Sequence, residues 1–235
     1  MKCLRTNYFT LLELLVIVVI ISMLMTILLP SLTHARSQAK SAICLSHLKN
    51  MGVITHSFVK DNTFHFPEPR WIDDFKKYEG IEQVSFCPEA NGSPDSGSHK
   101  TPWTHLGESG SYGMNMWLYN FRRYDNVAKD WLRSRSEDRY YYQMTRVDEP
   151  STTPLMFDSA WVDARPQTNA DESKHFAMDG AIMHPHLGRV FINRHYDKKV
   201  NYVHVDGSAR SYHLKKIYQM NWYIGFIKRD LACPK

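Results

Sequence analysis

From Leu14 to Leu29 the chain reads LLVIVVIISMLMTILL, a run whose most polar members are Ser22 and Thr26. Phe9 to Leu12 extend it across a single carboxylate, Glu13. At 1.5 Å per residue, a helix from Phe9 to Leu29 spans about 30 Å, the thickness of a bilayer core. A helix that is apolar on every side needs lipid or a far larger protein around it. The segment 9–30 therefore reads as a membrane-spanning helix and the lipid bilayer as its first partner. A cleaved secretory signal is the main competitor, since Lys2 and Arg5 form a positive start. The apolar run is long for such a signal, and no clear A-x-A site follows it.

Two residues do not suit a generic anchor. Glu13 places a carboxylate near hydrocarbon, which is costly unless it is paired, neutralised or close to the interface. Pro30 ends the apolar run, removes a backbone donor, and can kink the helix or mark where one segment gives way to another. Phe9-Thr10-Leu11-Leu12-Glu13-Leu14-Leu15, followed by the aliphatic run and Leu28-Leu29-Pro30-Ser31-Leu32, resembles the N-terminal cleavage and methylation segment of type IV prepilins and type II secretion pseudopilins. Counted from Phe9, Glu13 is the fifth residue and Pro30 the twenty-second, both where the family has them.

The resemblance implies that a prepilin peptidase removes residues 1–8 and that the new N-terminal Phe9 is methylated. It also implies that Glu13 meets the N-terminal amine of a neighbouring pilin-like subunit, which solves its solvation problem by pairing. The family has Gly immediately before the cut, and this chain has Tyr8. If the leader stays on, no free amine forms at Phe9, and Glu13 needs another partner or stays protonated. The flanking charges do not orient the span by themselves, because Lys2 and Arg5 precede it while Arg36 and Lys40 follow it. The resemblance implies a single-pass inner-membrane protein with its N-terminus cytoplasmic and residues from about Thr33 onward periplasmic or extracellular.

The 235 residues suggest one globular domain beyond the anchor. Hydrophobic residues at 43% and charged residues at 23%, with a negative mean hydropathy, place the apolar character in one region. The net charge of +5 comes from 29 basic and 24 acidic residues without a run of five like charges, which argues against a nucleic-acid surface. Cys3, Cys44, Cys87 and Cys233 show no C-x-x-C spacing. If the anchor places the bulk of the chain outside the cytoplasm, as the resemblance implies, Cys44 and Cys87 lie in an oxidising compartment, and a disulfide between them is the expectation. Two buried free thiols remain the alternative, because sequence does not show whether their Cβ atoms approach.

After Pro30 a helical pattern continues to about residue 62, with Cys44, Leu48, Met51, Thr55 and Phe58 recurring at spacings of four and three. The stripe faces a core; the resemblance makes this segment the outer half, 31–62, of one long helix packed on a sheet, and an independent amphipathic helix would pack in the same way. The remainder, 63–235, reads as an extracytoplasmic α+β domain. Cys44-Leu45-Ser46-His47-Leu48-Lys49-Asn50 and Phe86-Cys87-Pro88 resemble the paired cysteine motifs of large pilin-like proteins of planctomycete-type and lentisphaeral bacteria. Tyr112-Gly113-Met114-Asn115 and Pro154-Leu155-Met156-Phe157-Asp158-Ser159 resemble further blocks of that group. Residues 88–111 and 162–189 read as irregular surface regions. Between them, residues 117–147 interleave aromatics, among them Trp117, Tyr119, Tyr124 and Trp131, with arginines. Such a mixture can bind single strands or sugars, but aromatics filling a core under an arginine edge is the preferred reading.

Val200 to Val205 alternates as a half-buried strand, Asp206-Gly207 suits a two-residue type I′ turn, and Ser208 to Leu214 returns as a hairpin. The resemblance implies a motif of His195 with Asp206 and Gly207. His184, His186, His195, His204 and Asp206 offer donors for a metal, without the ligand spacing of a known metalloenzyme; a turn Asp and scattered surface histidines are preferred. Asp197 and Asp206 are the carboxylates that could ligate calcium, and no cofactor is assigned. No G-x-S-x-G, P-loop, H-E-x-x-H or dinucleotide fingerprint is present, and Asp73-Asp74 reads as part of a surface helix. The expected fold is α+β, a long N-terminal helix on an antiparallel sheet with loop insertions. The expected role is a pilin-like structural subunit. An anchored polysaccharide- or protein-binding module is the alternative, and an anchored metal-dependent hydrolase a distant third.

Overall fold

The first helix begins where the sequence supplies its own cap. Thr10 is extended (φ −87°, ψ 150°), the Glu13 amide donates to Thr10 Oγ1 at 3.2 Å, and Glu13 Oε2 accepts from the Thr10 amide at 2.8 Å. This reciprocal box satisfies donors that a helix start otherwise leaves open. In the computed structural model, which describes residues 10–121, 137–166, 189–190 and 192–228, helix α1 then runs unbroken from Leu11 to Asp61. At 1.5 Å per residue it is about 76 Å long. Pro30 lies inside it, so the two expected halves are one continuous helix. It ends at Asn62, whose amide and side-chain Nδ2 both donate to the Phe58 carbonyl.

The two halves of α1 meet different surroundings. Leu11 to Leu32 are exposed all round, and Cys44 is the first buried residue. From there Cys44, Leu48, Met51, Thr55 and Phe58 are all buried, as their spacing predicts, together with Gly52, Ile54 and Val59. This face packs on a five-stranded sheet. Its strands are β3 (Tyr112–Asn115), β4 (Pro154–Asp158), β5 (Asp163–Ala164), β6 (Lys199–His204) and β7 (Ala209–His213), in the order β5-β3-β4-β6-β7. Short helices α2 (Trp71–Phe75) and α3 (Ile81–Val84) and a hairpin of β1 (Trp103–His105) with β2 (Glu108–Gly110) precede it. Asp73 and Asp74 lie on α2, partly exposed.

The arrangement is α+β, as expected, with one amendment. β3–β4, β4–β6 and β6–β7 are antiparallel, but β5 lies parallel to β3, so the sheet is mixed at that edge. Gly52 lets the helix approach closely: a Cβ there would lie 2.8 Å from Val203 Cγ2 of β6. β6 is buried from Val200 to His204 rather than half-buried. Helix α1 covers one of its faces, while Phe157 and Trp222 lie against Tyr202 on the other, with ring centroids 5.7 and 6.4 Å away.

The β6–β7 hairpin forms where expected, with a different turn. Gly207 is left-handed (φ 79°) and its amide donates to the His204 carbonyl at 2.9 Å, whereas Asp206 does not have the positive φ that type I′ requires. The connection is a three-residue loop, Val205 to Gly207, of the type I plus glycine-bulge kind. Residues 88–111, expected as a surface loop, contain the β1–β2 hairpin and bury Trp103. Trp117, Tyr119, Phe121 and Tyr140 to Tyr142 are buried. Trp117 stacks obliquely on Tyr140 and Tyr223 at 4.9 and 4.5 Å, with the Arg165 guanidinium 5.5 Å above it. The described aromatics of this belt are core, as preferred. Tyr124, Trp131, His184, His186, Cys3, Cys233, Tyr8 and Phe9 lie outside the described residues, and with them the processing site.

Candidate functional site

Two features carry chemistry: the bare first half of α1 and a buried polar cluster beneath its second half. Along the first half no residue is buried, and the helix is long and apolar enough to cross a membrane. Ser22 Oγ and Thr26 Oγ1 donate back to the carbonyls of Val18 and Ser22 at 2.7 and 2.8 Å, so their hydroxyls need no outside partner. Glu13 Oε2 also accepts from Thr10 Oγ1 at 2.8 Å, so the one carboxylate of the segment has two donors within its own chain. That intrachain cap, readable as Thr10-x-x-Glu13, is a partner the sequence reading did not identify. Pro30 sits at the outer end of the apolar run, within the helix.

The cluster is assembled from four separate segments. Cys44 comes from α1. Cys87 follows α3, in a stretch attached to the helix by His47 Nδ1 meeting the Phe86 carbonyl at 3.0 Å and by a Lys40–Glu89 ion pair at 3.4 Å. Asp158 is the last residue of β4, and His195 lies just before β6, bridged to Lys199. The Cys44 thiol donates to Asp158 Oδ1 at 2.9 Å, His195 Nε2 donates to Asp158 Oδ2 at 2.9 Å, and Cys87 Sγ lies 3.8 Å from His195 Nε2. The four donor atoms lie within 4.8 Å of one another, and all four residues are buried.

Neighbours hold the cluster in place. The Tyr112 hydroxyl donates to Cys44 Sγ at 3.2 Å, and the Asn201 amide to Asp158 Oδ2 at 2.8 Å. Arg194, fully buried, lies 4.0 Å from Asp158 Oδ1 and donates to the carbonyls of Ser111 (2.6 Å), Ser98 (2.7 Å), Ser159 (3.2 Å) and His99 (3.3 Å). The proton affinities follow from this packing. Burial alone would lower the His195 pKa, but the charge and hydrogen bond of Asp158 outweigh it and hold the imidazole up at about 10. Burial works against the Asp158 carboxylate, and His195 and Arg194 overcome it, holding the group below its ordinary range. Burial raises the Cys44 thiol well above its usual value, reinforced by Cys87 and Asp158. Cys87 is opposed by burial yet lowered to about 6 by hydrogen bonds from Cys44 and His195.

The expected disulfide appears here as proximity without a bond: Cys44 and Cys87 adjoin as free, buried thiols. His195 and His204, expected among surface histidines, are both buried, and only His195 joins the cluster. Asp206 accepts from the Ser208 amide at 2.8 Å, as a turn Asp does, and Asp197 is exposed beside Lys199 at 3.7 Å. Gly207 is held against α1 by Lys49 Nζ, which donates to its carbonyl, and His56 Nε2 lies 2.8 Å from the Val205 carbonyl. A groove of about 600 Å³ opens beside this turn, lined among others by Val53, Phe64 and Met144.

Asp158 and Arg194 were not singled out as site residues, yet a signal for the cluster exists. Each of the short sequence blocks around Cys44, Cys87, Tyr112, Asp158 and His195 contributes one residue to it. The family models, curated proteins and solved structures compared with this chain give no match.

Proposed function

We propose that this chain is a membrane-anchored, pilin-like structural subunit of a type IV pilus-like or type II secretion pseudopilus assembly. One observation carries the reading. A single helix presents an all-round apolar first half, capped through Glu13, and continues without a break into a half fixed on a sheet. Such a helix serves as a lipid anchor before assembly and as a helix-packing surface after it. In this reading the span lies in the inner membrane, with the N-terminus cytoplasmic and the domain periplasmic or extracellular. Glu13 exchanges its intrachain donors for the amine of a neighbouring Phe9 on assembly. A structural role is also supported by the burial of the titrating thiol and imidazole, since Cys87 and His195 are each only 2% exposed and offer a substrate no access.

The test is the intact mass of the protein recovered from its own membrane. A chain beginning at methylated Phe9, and loss of filaments on Glu13→Ala, are the expected results. An intact Met1 favours the second reading, an anchored module that never polymerises, for which Tyr8 in the place of Gly is the specific argument. Filaments unaffected by Glu13→Ala would show that Glu13 has no pairing role.

A further inference from the structure

We propose that Cys44, Cys87, Asp158 and His195 form a structural zinc site that clamps the outer half of α1 to the sheet. The donor set is two thiols, one imidazole and one carboxylate, each a zinc ligand, whereas calcium and magnesium favour oxygen alone. Zinc bonds of about 2.3 Å to sulfur and 2.0–2.2 Å to nitrogen and oxygen put tetrahedral ligand atoms roughly 3.3–3.8 Å apart. Cys87 Sγ and His195 Nε2 already stand at 3.8 Å. The two contacts of 2.9 Å to Asp158 are hydrogen bonds from Cys44 and His195. When the ion replaces those bridging protons, the contacts need to open by only about half an ångström.

Coordination balances in protons and in charge. The Cys44 thiol proton and the Nε2 proton of His195 pass to solvent, together with any proton still held by Cys87, and the metal takes their places. A divalent ion with two thiolates and one carboxylate carries one net negative charge. Arg194, fully buried and 4.0 Å from Asp158, supplies the opposing positive charge. Outer-shell support is present in the Tyr112 hydroxyl on Cys44 Sγ and the Asn201 amide on Asp158 Oδ2. With four buried ligands and no open position, the site is structural rather than catalytic. It joins α1, the segment after α3, the end of β4 and the segment before β6, which lie far apart in sequence. A disulfide would instead require the two Sγ atoms at about 2.05 Å and would leave Asp158 and His195 outside the link.

The test uses the full-length chain purified in detergent without chelators. Elemental analysis is expected to find one zinc per chain, absent from Cys87→Ser and His195→Gln. Because those variants can fail to fold, the wild-type chain is also stripped and titrated with Co²⁺. A sulfur-to-cobalt charge-transfer band and the visible bands of a tetrahedral ion are expected. Tyr112→Phe keeps these bands and weakens Co²⁺ binding by about 10- to 100-fold. Cys44 and Cys87 that resist alkylation until reduced, and that peptide mapping finds joined in one species two hydrogens lighter, overturn the proposal in favour of the disulfide. Free thiols without metal or cobalt bands overturn it as well.

Discussion

The two halves of α1 share one backbone and have been shaped for different solvents. Between Leu11 and Leu32 nearly every position is apolar and none is buried, so no face is distinguished from another. Between Cys44 and Val59 the apolar residues recur at helical spacing, the buried face meets β4, β6 and β7, and Lys49 and Lys60 stay outside. Uniform hydrophobicity suits a medium that surrounds the helix, and periodic hydrophobicity suits a partner on one side. The difference teaches that the packing of the domain and the apolar surface able to cross a membrane rest on separate residues of the same element.

The largest effect that could break this separation is expected from placing charge in the first half. Arginine at the centre of a spanning helix costs about 2.5–3.5 kcal/mol per residue. Ile17→Arg combined with Ile20→Arg is therefore expected to move the chain out of the alkali-resistant membrane fraction. The denaturant midpoint of the domain should stay where it was. If the midpoint falls with membrane attachment, the halves are coupled and the comparison fails. The converse change is Leu48→Ala. Leu48 is fully buried in the helix–sheet interface, and truncation of such a side chain costs about 2–5 kcal/mol. Unfolding monitored by tryptophan fluorescence should shift accordingly while the protein remains with the membrane.

How much of this was legible beforehand depended on the range over which each signal acts. The apolar half of α1, the buried stripe and the hairpin come from contiguous residues, so hydropathy, periodicity and turn chemistry reached them. The type I′ expectation failed because Asp206-Gly207 is compatible with two loop lengths. The docking of Gly207 and Val205 on Lys49 and His56 accompanies the longer loop. Half-burial of β6 was inferred from alternation, which cannot register Tyr202 being covered by Trp222 from a later segment. The cluster was the least accessible feature. Its members lie at positions 44, 87, 158 and 195, and donors so widely separated leave no local spacing to read. Arg194 looked like any other arginine until its four carbonyl partners were in place.

The finest test of the second half is at Gly52, where helix propensity and packing oppose each other. Alanine is better than glycine inside a helix by about 0.5–1 kcal/mol. At this position, however, the added Cβ would stand 2.8 Å from Val203 Cγ2, on a β-branched side chain that is fully buried and stiff about χ1. Overpacking of this kind costs about 1–3 kcal/mol, so Gly52→Ala is expected to destabilise the domain by about 1 kcal/mol net. Val203→Ala removes the clash and leaves a space that the new methyl group enters. In that background Gly52→Ala should become stabilising, with a coupling of about 0.5–3 kcal/mol across the double-mutant cycle. An additive cycle would mean that helix and strand can part without cost at Gly52, and that close packing at this position does not hold α1 to β6.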